Sequence, residues 1–195
     1  MQSYYKHLPE LDGVKWTNYF LNDFMPQYNF YTDIKSSAYN YVMYDNKNLY
    51  PRIVELDNEL QQKYNFPPIS YFMIFLHNKK NQPIHVDGTF TLRYASLNLP
   101  ISGYENTKMI FYKKNNHNAN VSISNANVSI SNANYLDIED LTFADEFNGS
   151  NDWVLVNSGE PHQIVNIDVN NPRITVCFRF QGNLKFEDLI QNAKP

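Results

Sequence analysis

Between Ile69 and Phe180 the chain repeats one pattern, a short run rich in β-branched and aromatic residues closed by a cluster of turn formers. The runs are ISYFMIFLH (69–77), PIHVD (83–87), TLRYASLNLPI (91–101), KMIFYK (108–113), DWVLVN (152–157), HQIVNID (162–168) and RITVCFRF (173–180). Asn78 to Gln82, Gly88, Gly103, Gly149 to Asn151, Gly159-Glu160-Pro161 and Asn170 to Pro172 separate them. β-Branched and aromatic side chains fit a pleated, half-buried surface, whereas Gly, Pro and Asn supply the backbone angles of turns. No helical pattern lies between these runs, and parallel strands need long, usually helical, crossovers. The chain therefore reads as an antiparallel sandwich or barrel.

Helices belong at the ends. In PRIVELDNELQQKY (51–64), Pro51 suits a first helical turn, and Ile53, Leu56 and Leu60 recur on one face. Pro67-Pro68 ends that segment. A short helix is read near Lys15–Phe24, and LKFEDLIQNAK (184–194) closes the chain as another. The organisation that follows is a single domain over 1–195. Residues 1–66 form an N-terminal helical or irregular buttress packed outside a β core at 67–182. Within 115–134 the unit NANVSIS occurs twice. Its odd period flips the exposed face at each copy, so it cannot extend one amphipathic strand. It reads as an inserted surface loop or hairpin, with a substrate-facing lid as the sharper alternative.

Composition narrows the function. Hydrophobic residues make up 43% of the chain, too many for a disordered one. The longest apolar run, ISYFMIFL, falls well short of the roughly 20 residues of a membrane helix. The opening MQSYYKHLPELDG lacks the basic-then-apolar layout of a secretory leader. Cys177 is the one cysteine, which fits a reducing compartment, so the expected location is cytoplasmic. The net charge is -4 with no basic stripe, and that disfavours a nucleic-acid partner. A small molecule or a protein side chain is the better substrate class. Oligomeric state is not legible.

The segment IHVDG puts His85 and Asp87 two apart on a strand, so both project from one face. An imidazole beside a carboxylate can chelate a divalent metal; the bland alternative is a structural hydrogen-bonded pair. The best-placed third donor is His162, which opens a strand after the Gly159-Glu160-Pro161 turn. Two histidines and one carboxylate make the facial triad of non-haem Fe(II) sites, with open positions left for other ligands. His77 ends a strand and reads as a core-edge or surface residue; His117 falls in the Asn-rich repeat and reads as solvent-exposed.

The last strand alternates tellingly. Ile174, Val176, Phe178 and Phe180 share one face, and Arg173, Thr175, Cys177 and Arg179 share the other. On a cavity-lining strand, Arg173 offers a bidentate fork for a carboxylate and Thr175 a hydroxyl beside it. Tyr94, Ser96 and Asn98 give the earlier strand a similar polar face. Cys177 reads as a small buried residue. The chain holds no P-loop, dinucleotide fingerprint or nucleophile elbow.

The order His-x-Asp, distal His, then Arg resembles the motif of Fe(II)/2-oxoglutarate-dependent dioxygenases, and the match runs from about Tyr71 to Phe180. SLNLPIS and HQIVN look like segments of small oxygenases common in phage and marine bacterial genomes; a phage-encoded copy would act in the host cytoplasm. The resemblance implies a mainly β fold, a double-stranded β-helix or jelly-roll, cupin-like barrel. It implies an enzyme that takes Fe(II), 2-oxoglutarate and O2, hydroxylates an unidentified substrate, and releases succinate and CO2. It makes His85, Asp87 and His162 the iron ligands and Arg173 the salt-bridge partner of the distal carboxylate. Asn98, Thr175, Tyr94 and Tyr71 are candidate further contacts with 2-oxoglutarate, and Arg179 a candidate substrate contact. The Arg173–Arg179 spacing also resembles AlkB-type nucleic-acid demethylases, from which Thr175 and Cys177 depart. Two rival readings use the same strands. One is a cupin-like metal-binding or isomerase module without 2-oxoglutarate; the other is a non-enzymatic jelly-roll binding or structural protein.

Overall fold

A computed structural model describes residues 3–36, 40–87, 95–114, 134–135, 141–182 and 185–192. The strands are β1 (Tyr5–His7), β2 (Tyr41–Tyr44), β3 (Ile69–His77), β4 (His85–Val86), β5 (Ala95–Ser102), β6 (Lys108–Lys114), β7 (Asn134–Tyr135), β8 (Leu141–Asn148), β9 (Val154–Asn157), β10 (His162–Val165) and β11 (Arg173–Phe180). They form two antiparallel sheets, six strands in the order β1-β9-β5-β11-β3-β2 and five in the order β7-β4-β10-β6-β8.

Strand β11 lies inside the larger sheet, paired with β3 on one side and β5 on the other. All eight of its residues are buried, so both of its faces are covered. On one face Ile174, Val176, Phe178 and Phe180 join Leu97 and Leu99 of β5 and Phe72 and Ile74 of β3 in one apolar cluster. The helices complete that cluster with Trp16, Phe20, Phe24, Ile53, Leu56 and Leu60. The other face turns to the smaller sheet, where Val154 and Val156 of β9 pack with Met109, Phe111, Phe147 and Ile164. Arg173, Thr175 and Arg179 are therefore enclosed between the two sheets.

Helix α1 (Gly13–Asn18) starts where the Asp12 carboxylate accepts the Lys15 N–H at 2.8 Å. It runs on through a wide π turn at Tyr19–Phe24 into α2 (Met25–Gln27), followed by α3 (Phe30–Ser36). The helix expected near Lys15–Phe24 is thus the middle of a longer one. Helix α4 (Pro51–Tyr64) has the expected bounds, with Pro51 in its first turn. It stops at Asn65, whose φ of 50° is the left-handed conformation that ends helices. The closing helix is seen as α5 (Phe186–Asn192), which buries Phe186 and Leu189; 184, 193 and 194 of the expected 184–194 segment lie outside the described residues.

Four strands lie outside the expected runs: β1, β2, β7 and β8. Strand β8 is an edge strand with Asp145 and Glu146 at its middle, and most of it is only partly buried. Its alternation is too weak to read. The described strands make two sheets with open edges, not one closed barrel. Tyr94, Gly88 and the repeat at 115–133 lie outside the described residues. Among the described residues no helix is long and apolar enough to cross a membrane.

Candidate metal centre

The site is built on one register pair. In the smaller sheet β10 meets β4 with His162 opposite His85, and the two ring centroids lie 4.4 Å apart. Beyond β4 the Asp87 N–H donates to the Ser158 carbonyl at 2.8 Å, which draws the chain across to the end of β9. The carboxylate then faces the same space as the two rings. One candidate ligand atom from each of His85, Asp87 and His162 lies within 4.8 Å of the others. Donors about 2.1 Å from one cation and at right angles to one another lie about 3.0 Å apart, so a bound cation would draw the three atoms closer together.

Both rings are oriented by the same local device. His85 Nδ1 bonds the Pro83 carbonyl at 2.9 Å, and His162 Nδ1 bonds the Glu160 carbonyl at 2.8 Å. A carbonyl only accepts, so each Nδ1 carries the proton and each Nε2 presents its lone pair. His85 Nε2 stands 3.7 Å from Asp87 Oδ1. The other carboxylate oxygen is taken: Arg179 Nη2 donates to Asp87 Oδ2 at 2.5 Å, and Arg179 Nη1 donates to Ser158 Oγ at 2.8 Å.

Electrostatics set the charge states. Burial alone would raise the Asp87 pKa, but Arg179, then His162 and His85, outweigh it and pull it down to about 2. Burial, reinforced by His85 and opposed by Asp87, lowers His162 to about 4. At neutral pH His162 is uncharged and Asp87 ionised, the forms in which these groups ligate a cation.

Arg173 occupies the far end of the same face of β11. It is 3% exposed, yet its Nε and Nη1 have no hydrogen-bond partner among the described residues. Burial lowers its pKa to about 10. Thr175 Oγ1 and Asn98 Oδ1 are likewise buried without a partner there. A buried guanidinium without a counter-ion costs several kcal/mol, and a bound carboxylate would offset that cost. Tyr71 is opposite Arg179, at the Asp87 end of β11 and not beside Arg173.

His77 is the residue that sequence reasoning undervalued. It is buried, stands opposite Arg173, and accepts a hydrogen bond at Nδ1 from the Gln82 amide. Burial, then Arg173 and His85, pushes its pKa well below the ordinary value. The available signal was alternation in ISYFMIFLH, which puts Tyr71, Met73, Phe75 and His77 on one face. Without the β3–β11 register, that face had no known neighbour.

No protein-family model matches the sequence, and no curated protein matches it. Solved structures do. HygX from Streptomyces hygroscopicus, with nickel and 2-oxoglutarate bound, aligns at TM-score 0.50 and 12% identity over 91% of this chain and 82% of that chain. The chain shares the fold of HygX. A prolyl-4-hydroxylase from Pseudomonas putida matches at TM-score 0.44 and 10% identity, over 91% of this chain and 93% of that one. In the HygX-like fold of this chain the two histidines belong to the smaller sheet, and the arginine that grips the aspartate belongs to the larger.

Proposed function

We propose that the chain is an Fe(II)- and 2-oxoglutarate-dependent dioxygenase that hydroxylates a small molecule or a protein side chain. One observation carries the reading. A His85–Asp87–His162 donor set and a buried Arg173, two of whose nitrogens have no partner among the described residues, share the space between the sheets. The donor set suits Fe(II), and the guanidinium suits the distal carboxylate of a 2-oxo dicarboxylic acid. The binding of 2-oxoglutarate by HygX, whose fold this chain shares, supports the same reading. In it the two sheets are the halves of a double-stranded β-helix, residues 1–195 act as one domain, and the compartment is the cytoplasm.

Bound Fe(II), 2-oxoglutarate and O2 would supply the oxidation, with release of succinate and CO2. The chain's own residues hold and orient. His85 and His162 offer Nε2, kept inward by the Pro83 and Glu160 carbonyls. Asp87 offers Oδ1 while Arg179 immobilises Oδ2, so Arg179 positions a ligand in place of contacting substrate. Arg173 neutralises the far carboxylate, with the Thr175 hydroxyl and Asn98 amide beside it. The aromatic and aliphatic residues between the sheets exclude water and strengthen each of these polar contacts.

Anaerobic Fe(II) plus 2-oxoglutarate is expected to give the weak visible absorption of a chelated 2-oxo acid, and Asp87→Ala to abolish it. Under air, succinate is expected to accumulate slowly without a prime substrate. A metal-loaded protein that shows neither signal overturns the proposal. Retained metal binding with Arg173→Met indistinguishable from wild type would favour the cupin-like module instead.

A further inference from the structure

The metal centre leaves His77 without a role, and several observations converge on it. It ends the inner face of β3, is 6% exposed, and stands opposite Arg173 in the β3–β11 register. Its ring lies parallel to Phe75, with centroids 5.6 Å apart and planes 4° from parallel, which fixes its orientation. Gln82 reaches it from the other sheet: the Gln82 backbone N–H donates to the Ile164 carbonyl of β10 at 2.8 Å, and its side-chain amide bonds His77 Nδ1. An amide N–H donating to Nδ1 leaves the ring proton on Nε2. Arg173 and His85 both act on the ring electrostatically, each disfavouring its charged form.

Nothing in the metal centre needs a second donor at that place. A carboxylate held by Arg173 does: the guanidinium fork and the Thr175 hydroxyl supply three donors to about four lone-pair sites, and each unsatisfied site on a buried anion is costly. A ring locked by a stack on one side and an amide on the other is preorganised to donate.

We propose that His77 donates from Nε2 to the same carboxylate of a 2-oxo dicarboxylic acid that Arg173 neutralises, and so fixes the length of acid the site accepts. The proposal rests on the dioxygenase reading above. The rival role is structural, with His77 and Gln82 forming only a strut between the sheets.

The test uses full-length protein loaded with Zn(II), with calorimetry for 2-oxoglutarate and for 2-oxoadipate, which is one methylene longer. His77→Phe keeps the ring on Phe75 and removes both nitrogens. It is expected to weaken 2-oxoglutarate binding by about tenfold or more and to narrow the preference over 2-oxoadipate. Metal stoichiometry should stay unchanged, and with Fe(II) the KM should rise while kcat stays within about twofold. His77→Gln, which keeps a donor, should recover most of the affinity. Gln82→Leu breaks the strut but keeps His77, and should lose less than His77→Phe. A direct readout needs no variant: the His77 ring 15N resonances of Zn(II)-loaded wild type should shift on adding 2-oxoglutarate. Unchanged 2-oxoglutarate affinity in His77→Phe, or unmoved ring resonances at saturation, overturns the proposal and leaves the dioxygenase reading standing. A wild type that binds no 2-oxoglutarate at all removes both.

Discussion

Arg179 and Asp87 are joined across the sheets. The guanidinium Nη2 lies 2.5 Å from Oδ2, so Oδ1 is the oxygen left facing His85 Nε2 at 3.7 Å. Second contacts of this kind orient a ligand and tune its charge, and their loss usually costs 10- to 100-fold in metal affinity. Arg179→Gln should therefore weaken Co(II) binding by about that factor, read from the visible d–d bands during titration. Arg179→Lys, which keeps the charge but loses the fork, should fall between. Equal affinity in all three proteins would show that Asp87 needs no holding.

Arg173 should behave in the opposite sense toward stability. It is a buried cation with two nitrogens unpartnered among the described residues, so Arg173→Met removes an uncompensated charge at similar volume. The metal-loaded variant should melt no lower than wild type without 2-oxoglutarate. Adding 2-oxoglutarate should raise the wild-type melting temperature, by linkage, and leave the variant's unmoved. A variant still stabilised by 2-oxoglutarate would place the anion elsewhere.

The metal-free protein should lose stability on mild acidification. His162 has an ordinary value of 6.5 and a folded value of about 4. Between those limits the unfolded chain binds more protons than the folded one, so stability is full above 6.5 and is lost as pH falls toward 4. The loss from this residue is at most roughly 3 kcal/mol. Asp87, depressed from 3.8 to about 2, adds a further loss below that window with the same sign. Urea titrations from pH 7 to 4 should show the slope, and His162→Gln should reduce it to the part that buried His77 contributes with the same sign.

Phe178 joins the helices to the larger sheet. It is fully buried, stacked on Phe72 at 5.3 Å and 5.6 Å from Trp153, with Phe20 of the N-terminal helix at 6.2 Å. Phe178→Ala should cost about 3 to 5 kcal/mol by equilibrium unfolding. The metal affinity of the folded fraction should be little changed, because that ring faces away from the donor set.

The strands that bear the candidate ligands were legible because their pattern is local. His85 and Asp87 share a face by period two alone, and β11 announces its two faces by alternation. Helix α4 was legible down to its bounds, since Pro51 and the spacing of Ile53, Leu56 and Leu60 act within the helix itself. What stayed hidden depends on pairing. The half-exposed edge strand β8 has no sequence reason to be a strand until β6 lies beside it. The placement of Arg179 and His77 comes from packing and pairing, Arg179 against Asp87 and His77 opposite Arg173, and no spacing along the chain encodes that. From the sequence Arg179 reads as a candidate substrate contact and His77 as a core-edge or surface residue.

Strand β4 is two residues long, and its alignment with β10 rests on the facing pair His85 and His162. A cation shared by those rings and Asp87 would rivet the thinnest seam of the smaller sheet, adding covalent-like cross-links where the backbone ladder is shortest. Stripping the cation with a chelator should then fray the molecule from this seam outward, with amide protons around Val86 exchanging before those of β11.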